Sequence, residues 1–123
     1  MKPRILVVDD ERSMCELLET DLSLREFDVS CYTSAEEGFQ GLASNRFDVV
    51  LTDLKMPGVD GIEFCRRIVA NRSDIPVILS SGHNPREVAE KTEGYDIAGF
   101  VAKPYSLNMM RSVLAEVLAG TTS

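Results

Sequence analysis

The sequence predicts an α/β fold in which short buried strands alternate with amphipathic helices around a parallel sheet. Three observations carry that reading. The apolar pattern switches repeatedly between short continuous runs and helical periodicity, as successive βα units require. The runs Ile5–Val8, Val49–Leu51 and Val77–Leu79 are continuous rather than alternating, as expected of strands covered on both faces. Finally, four apolar runs stop abruptly at residues able to handle phosphate or a divalent cation: Asp9-Asp10-Glu11, Asp53, Ser80-Ser81-Gly82 and Lys103-Pro104.

Each element follows in order. Ile5–Val8 is the first strand, and Met14, Leu17, Leu18 and Leu22 then share one helical stripe with Glu16, Glu19 and Asp21 mainly elsewhere. Val29 and Cys31 alternate with polar neighbours in a short second strand. Ser34 opens a capping box with Glu37 ahead of Phe39 and Leu42, so the second helix begins there. Val49–Leu51 is the third strand, Met56-Pro57-Gly58 forces a loop, and Ile62, Cys65, Ile68 and Val69 supply the stripe of a third helix. Val77–Leu79 is the fourth strand, and Pro85 suits the first turn of a fourth helix running towards Glu93. Phe100–Ala102 is the fifth strand. Ser106 is the expected N-cap of a last helix whose Leu107, Met110, Leu114, Val117 and Leu118 share a face and which ends at Gly120. Residues 1–120 therefore read as one domain, with 121–123 a tail or a cut linker.

Bulk properties agree with one domain: 123 residues with 44% hydrophobic content suffice for a single core. Thirteen basic against 20 acidic residues give a net charge of -7, which argues against a broad footprint for nucleic acid or an anionic membrane. No apolar stretch approaches the roughly 20 residues that span a bilayer, and strand-like residues follow Met1-Lys2-Pro3 directly, so the expected address is cytoplasmic. Cys15, Cys31 and Cys65 are odd in number and widely spaced, without metal or redox spacing. The expectation is three free thiols packed as small hydrophobes.

In an open parallel sheet, ligands bind beyond the carboxyl ends of the strands. Asp9, Asp10, Asp53, Ser81 and Lys103 all fall there. Two carboxylates about 4 Å apart repel by about 4 kcal/mol at an effective dielectric near 20, so three in one pocket call for a cation. Mg2+ suits them, since it is commonly held by one or two carboxylates, keeps waters and accepts a phosphate oxygen; Ca2+ usually wants more protein oxygens. Asp53 stands alone at its strand end and is the candidate nucleophile towards phosphorus, while the Asp9-Asp10 pair suits the metal. Ser81 is placed to hydrogen-bond a phosphoryl oxygen, and Lys103 offers a compact point charge to another.

The ordered set Asp9-Asp10, Asp53 with Met56-Pro57-Gly58 and Gly61 downstream, Ser81-Gly82 and Lys103-Pro104 resembles the receiver domain of two-component response regulators over essentially the whole chain. That resemblance implies a five-stranded parallel sheet in the order 2-1-3-4-5 with helices on both faces. It also implies Mg-dependent phosphorylation of Asp53 by a phosphohistidine donor, either a histidine kinase or a phosphotransfer protein. By the same resemblance, Asp10 and Asp53 supply metal-binding side chains, Lys55 its backbone carbonyl, and Asp9 binds through water or holds the site's charge. Ser81 is the switch hydroxyl, in place of the more usual threonine. Phe100 occupies the place of a switch tyrosine, so the ring can change rotamer without a phenolic hydroxyl to report it. Lys55 and His83 match variable positions that tune phosphoryl lifetime. Tyr105 stands where phenylalanine is common, and Gly94–Gly99 departs from the commonest pattern before the fifth strand, resembling receivers attached to hybrid sensor kinases.

The output expected of such a switch is a population shift in the face built from the fourth helix, fifth strand and fifth helix, read by a downstream effector, a fused output domain or a second copy of the chain. It modifies itself and turns over no independent substrate. Three other readings have distinct signatures. An aspartate-nucleophile phosphohydrolase would carry a general acid two residues after the nucleophile, where Lys55 stands. A flavodoxin-like cofactor binder would have a phosphate loop after the first strand, where Asp9-Asp10-Glu11 would repel FMN. A receiver-like module that is never phosphorylated would bind neither metal nor phosphoryl analogue.

Overall fold

A computed structural model describes residues 3–25, 27–53, 63–64, 66–68, 75–82, 86, 90, 97–103 and 106–121. Five parallel strands form one sheet: β1 (Arg4–Val8), β2 (Asp28–Tyr32), β3 (Val49–Asp53), β4 (Val77–Ser81) and β5 (Gly99–Ala102), in the order β2-β1-β3-β4-β5. The three described helices are α1 (Arg12–Arg25), α2 (Ala35–Ser44) and α3 (Leu107–Thr121). Residues 63–64, 66–68, 86 and 90 are helical where the sequence predicts its third and fourth helices.

Successive strand residues point to opposite faces, so each continuous apolar run feeds two cores. Ile5, Val7, Val49, Leu51, Ile78 and Val101 pack with Leu18 and Leu22 of α1 and Met110, Leu114 and Val117 of α3. On the other side, Leu6, Val8, Val50 and Val77 pack with Ala35 and Leu42 of α2 and with Phe64 and Ile68. The predicted architecture, with helices on both faces, is therefore the observed one.

Two helix starts behave as the sequence predicts, while Pro85 lies outside the described residues. Ser34 accepts a hydrogen bond from the Glu37 backbone N–H at 3.2 Å, and its hydroxyl lies 3.2 Å from the Glu37 carboxylate. Ser106 likewise accepts from the Met109 N–H at 3.0 Å. Three local expectations need correction. Leu17 is not on the buried stripe of α1 but 48% exposed, because among the described residues the helix turns Cys15, Leu18 and Leu22 inward, with Met14 partly buried. Gly120 does not end the last helix, which runs to Thr121. The third correction concerns the cysteines: Cys15 and Cys31 are joined by a disulfide. The crossover from β1 through α1 to β2 lays the helix against the strand and brings these α-carbons to 5.5 Å, within bridging range. Cys65 lies outside the described residues.

Helix α2 approaches the sheet closely at Gly38, where a Cβ would meet Val8 Cγ2 at 2.7 Å and Phe64 Cζ at 3.1 Å. Overpacking of this kind costs about 1–3 kcal/mol, and the gain of about 1 kcal/mol in helix propensity offsets only part of it. Gly38→Ala is expected to lower the urea midpoint by the equivalent of about 1 kcal/mol with an unchanged m-value. An unchanged or raised midpoint would show that α2 can shift away from Val8.

Candidate functional site

Strand register converts four separate strand ends into one site. Val8 pairs with Thr52, Asp53 with Ser80 and Ser81 with Ala102, so the residues following or ending each strand line up along the carboxyl edge. Two backbone hydrogen bonds extend the ladders past the strands. The Asp9 N–H donates to the Tyr32 carbonyl at 3.0 Å, and the Lys103 N–H donates to the Ser81 carbonyl at 2.7 Å. These bonds fix where the Asp9 and Lys103 side chains begin, and side-chain identity gives no signal of them in the sequence.

The side chains then converge. Lys103 Nζ donates to Asp9 Oδ2 at 3.0 Å and to Asp53 Oδ2 at 3.2 Å. The other Asp9 oxygen accepts from the Glu11 N–H at 2.9 Å, which holds the turn between β1 and α1. Asp9 and Asp53 are buried, whereas Asp10 is exposed. One carboxylate oxygen from each of Asp9, Asp10 and Asp53 lies within 4.8 Å of the others. At that distance each pair repels by at least about 3.5 kcal/mol at an effective dielectric near 20, so among the described residues three carboxylates against one ammonium leave excess negative charge.

Burial alone pushes the Lys103 ammonium towards losing its proton. The hydrogen bond to Asp9 and the charges of Asp9 and Asp53 outweigh burial and raise its pKa above the ordinary 10.5. Lys103 is therefore a permanent positive charge at neutral pH. An oxygen-only donor set with one exposed member fits a hard divalent cation that keeps part of its water shell, which is the coordination habit of Mg2+. Asp9, already engaged through both oxygens, is the member most committed to holding charge.

Ser81 is buried at the end of β4. Phe100 is partly buried on β5 and packs against Leu79, its register partner. Because cross-strand partners share a face and alternate residues do too, Phe100 and Ser81 lie on the same side of the sheet, one residue pair apart. Of the remaining residues singled out in the sequence, Lys55, the loop Met56-Pro57-Gly58, Gly61, His83, Pro104 and Tyr105 lie outside the described residues, as do Gly94–Asp96. Among the described residues, no helix is long and apolar enough to cross a membrane.

Comparison with known proteins is consistent with this geometry. The family model for the response regulator receiver domain matches residues 5–115. The chain is similar to the C4-dicarboxylate transport transcriptional regulatory protein DctD of Rhizobium meliloti, 32% identical over 88% of this chain and 24% of that protein. It is similar to the response regulator MprA of Mycolicibacterium vanbaalenii, 32% identical over 99% of this chain and 53% of that protein. The chain thus spans about half or less of the length of these relatives. Among solved structures, the response regulator protein TrrA of Thermotoga maritima, in complex with Mg2+ and BeF, superposes with a TM-score of 0.82 at 27% identity, covering 95% of this chain and 99% of that one.

Proposed function

The chain belongs to the response regulator receiver domains, the phosphorylation-controlled switches of two-component signalling, and from that premise we propose that Asp53 is its phosphoacceptor. The observation that carries this reading is the convergence of Lys103 on both Asp9 and Asp53 beside an acidic cluster that fits Mg2+. The Mg2+ and BeF held by TrrA favour the same use of these residues.

In this reading, a phosphohistidine of a kinase or phosphotransfer protein presents its phosphorus to the carboxylate of Asp53. A carboxylate oxygen forms the new O–P bond as the N–P bond breaks, and the bonding pair returns to the imidazole nitrogen. Asp10, Asp53 and the Lys55 carbonyl would hold Mg2+, which supplies charge neutralisation for the phosphoryl oxygens when bound. Asp9 keeps Lys103 aimed across the strand ends, and Lys103 takes up charge on the transferred group. The Ser81 hydroxyl binds a phosphoryl oxygen, and the adjacent Phe100 ring repacks in response. The altered face around β5 and α3 is then read by an effector, an attached output domain or a second copy. The protein works in the cytoplasm, modifies itself and turns over no separate substrate.

Acetyl phosphate with Mg2+ tests the reading. One acid-stable, base-labile phosphoryl adduct on the intact protein, with no sustained turnover of phosphate esters, is the expected result. Multiple turnover of an ester without an adduct would instead indicate a phosphohydrolase. Lys55 and His83 are proposed to lengthen the life of that adduct by placing basic groups around the phosphoryl oxygens in the path of attacking water. Phosphoryl decay should therefore be slower in the parent than in the Lys55→Ala/His83→Ala variant; equal or faster decay in the parent would remove both residues from this role.

A further inference from the structure

The pairing of Cys15 with Cys31 sits against the phosphorylation site. Cys15 lies in the first turn of α1, is 4% exposed, and bonds through its sulfur to Cys31 on the edge strand β2. The Cys15 sulfur is 3.4 Å from the carbonyl oxygen of Asp9 and 3.8 Å from that of Tyr32. Tyr32 is the residue whose carbonyl receives the Asp9 N–H. One sulfur therefore touches both sides of the junction where β1 gives way to the acidic turn.

The geometry points to Cys15 and Cys31 as a reversible thiol–disulfide pair whose redox state sets the rigidity of the turn carrying Asp9 and Asp10. This inference rests on the cytoplasmic, metal-dependent reading above. In a reducing compartment disulfides are characteristically transient or sensing rather than permanent staples. Cys31 is only partly buried, so it is the sulfur an outside reagent meets first. Its thiolate attacks a low-molecular-weight disulfide such as oxidised glutathione; the reagent's S–S bond breaks and one thiol leaves. The Cys15 sulfur then attacks Cys31 in the mixed disulfide and expels the second thiol. Two protein thiols are oxidised, one small disulfide is reduced to two thiols, and the protons of the protein thiols pass to the departing sulfurs.

The two states differ at Asp9 in kind. A Cys15 thiol has an S–H to offer the Asp9 or Tyr32 carbonyl, while the bridged sulfur has none and is tied instead to β2. The bridge removes the freedom of the 16-residue separation between the two cysteines and anchors the start of α1 to the sheet edge. An anchored turn presents Asp9 and Asp10 with less reordering on metal binding, so the oxidised form is the tighter binder.

The test uses the full chain equilibrated with oxidised glutathione and then with excess dithiothreitol. Non-reducing peptide mapping should find Cys15 joined to Cys31 in the first state only. Reduction should lower the thermal midpoint by roughly 10 °C, and slow amide exchange at the start of α1 should become faster. Mg2+ affinity, followed by thermal shift with and without BeF, should weaken several-fold on reduction. Cys31→Ser should match the reduced form under both treatments. A bridge to Cys65, no bridge at all, or a midpoint indifferent to reduction would overturn the pair. Equal Mg2+ affinity in a bridged and a reduced sample would overturn its coupling to the site. Absence of Mg2+ binding in both states, with the bridge and its thermal effect intact, would count against the metal reading and the coupling together while leaving the redox pair standing.

Discussion

Asp53→Asn is expected to lose the phosphoryl adduct completely and, in the same sample without metal, to unfold at a higher temperature than the parent. The loss follows because an amide is not a nucleophile towards phosphorus, and Asp9, the other buried carboxylate on Lys103, has both oxygens engaged, one by Lys103 and one by the Glu11 N–H. The stability gain follows from charge. Among the described carboxylates and Lys103, Asp53 feels repulsions from Asp9 and Asp10 of at least about 3.5 kcal/mol each and an attraction of about 5 kcal/mol to Lys103. Burial adds a further cost to its charged form. Neutralising it should therefore stabilise the metal-free protein by about 1–2 kcal/mol, or roughly 5 °C. Mg2+ should reverse the order, because it stabilises the parent by binding a site that the variant has weakened. Intact-mass measurement after acetyl phosphate treatment and thermal scans with and without Mg2+ check both halves. A surviving adduct would place the acceptor elsewhere, and a lower midpoint without metal would mean that the pairing with Lys103 outweighs carboxylate repulsion.

Lys103→Met is expected to do the opposite to stability. It removes the cation that bridges Asp9 and Asp53, whose side chains are only 3% and 11% exposed. Breaking a buried pair leaves an uncompensated charge, at a cost of about 3 kcal/mol for a site that is partly open to solvent. Methionine keeps the packing of the aliphatic stem, so the loss reports charge rather than volume. Urea unfolding should show the full deficit in EDTA and a smaller one in Mg2+, since a divalent cation takes over part of the neutralisation. The phosphoryl adduct should still be detectable but form much more slowly, because the nucleophile remains while charge on the transferred group loses its partner. Equal stability in EDTA would show that Asp9 and Asp53 are not electrostatically strained by each other.

Much of this was legible from residue order. The alternation of apolar runs identified all five strands, and Ser34 and Ser106 marked two helix starts correctly. Strand ends were less legible: β3 and β4 extend through Asp53 and Ser81, because pairing with neighbouring strands continues past the last apolar residue. Leu17 shows a similar limit. Helical periodicity admits it to the stripe of α1, but the angular width of the contact with the sheet excludes it. The Cys15–Cys31 bridge had no sequence signal, since 16 residues of separation match no ligand or redox spacing.

By itself the sequence determined the fold class and the chemical inventory of the site. Both depend on local facts: period, strand length, capping residues, and which side chain follows each buried run. Only the tertiary structure decided that Lys103 is shared between Asp9 and Asp53, that Phe100 lies on the Ser81 side of the sheet, and that two cysteines meet beside Asp9. Those are matters of register and crossover. A one-residue shift in pairing would change which side chains meet at the sheet edge, and that register is set by the packing of two cores at once rather than by any one segment.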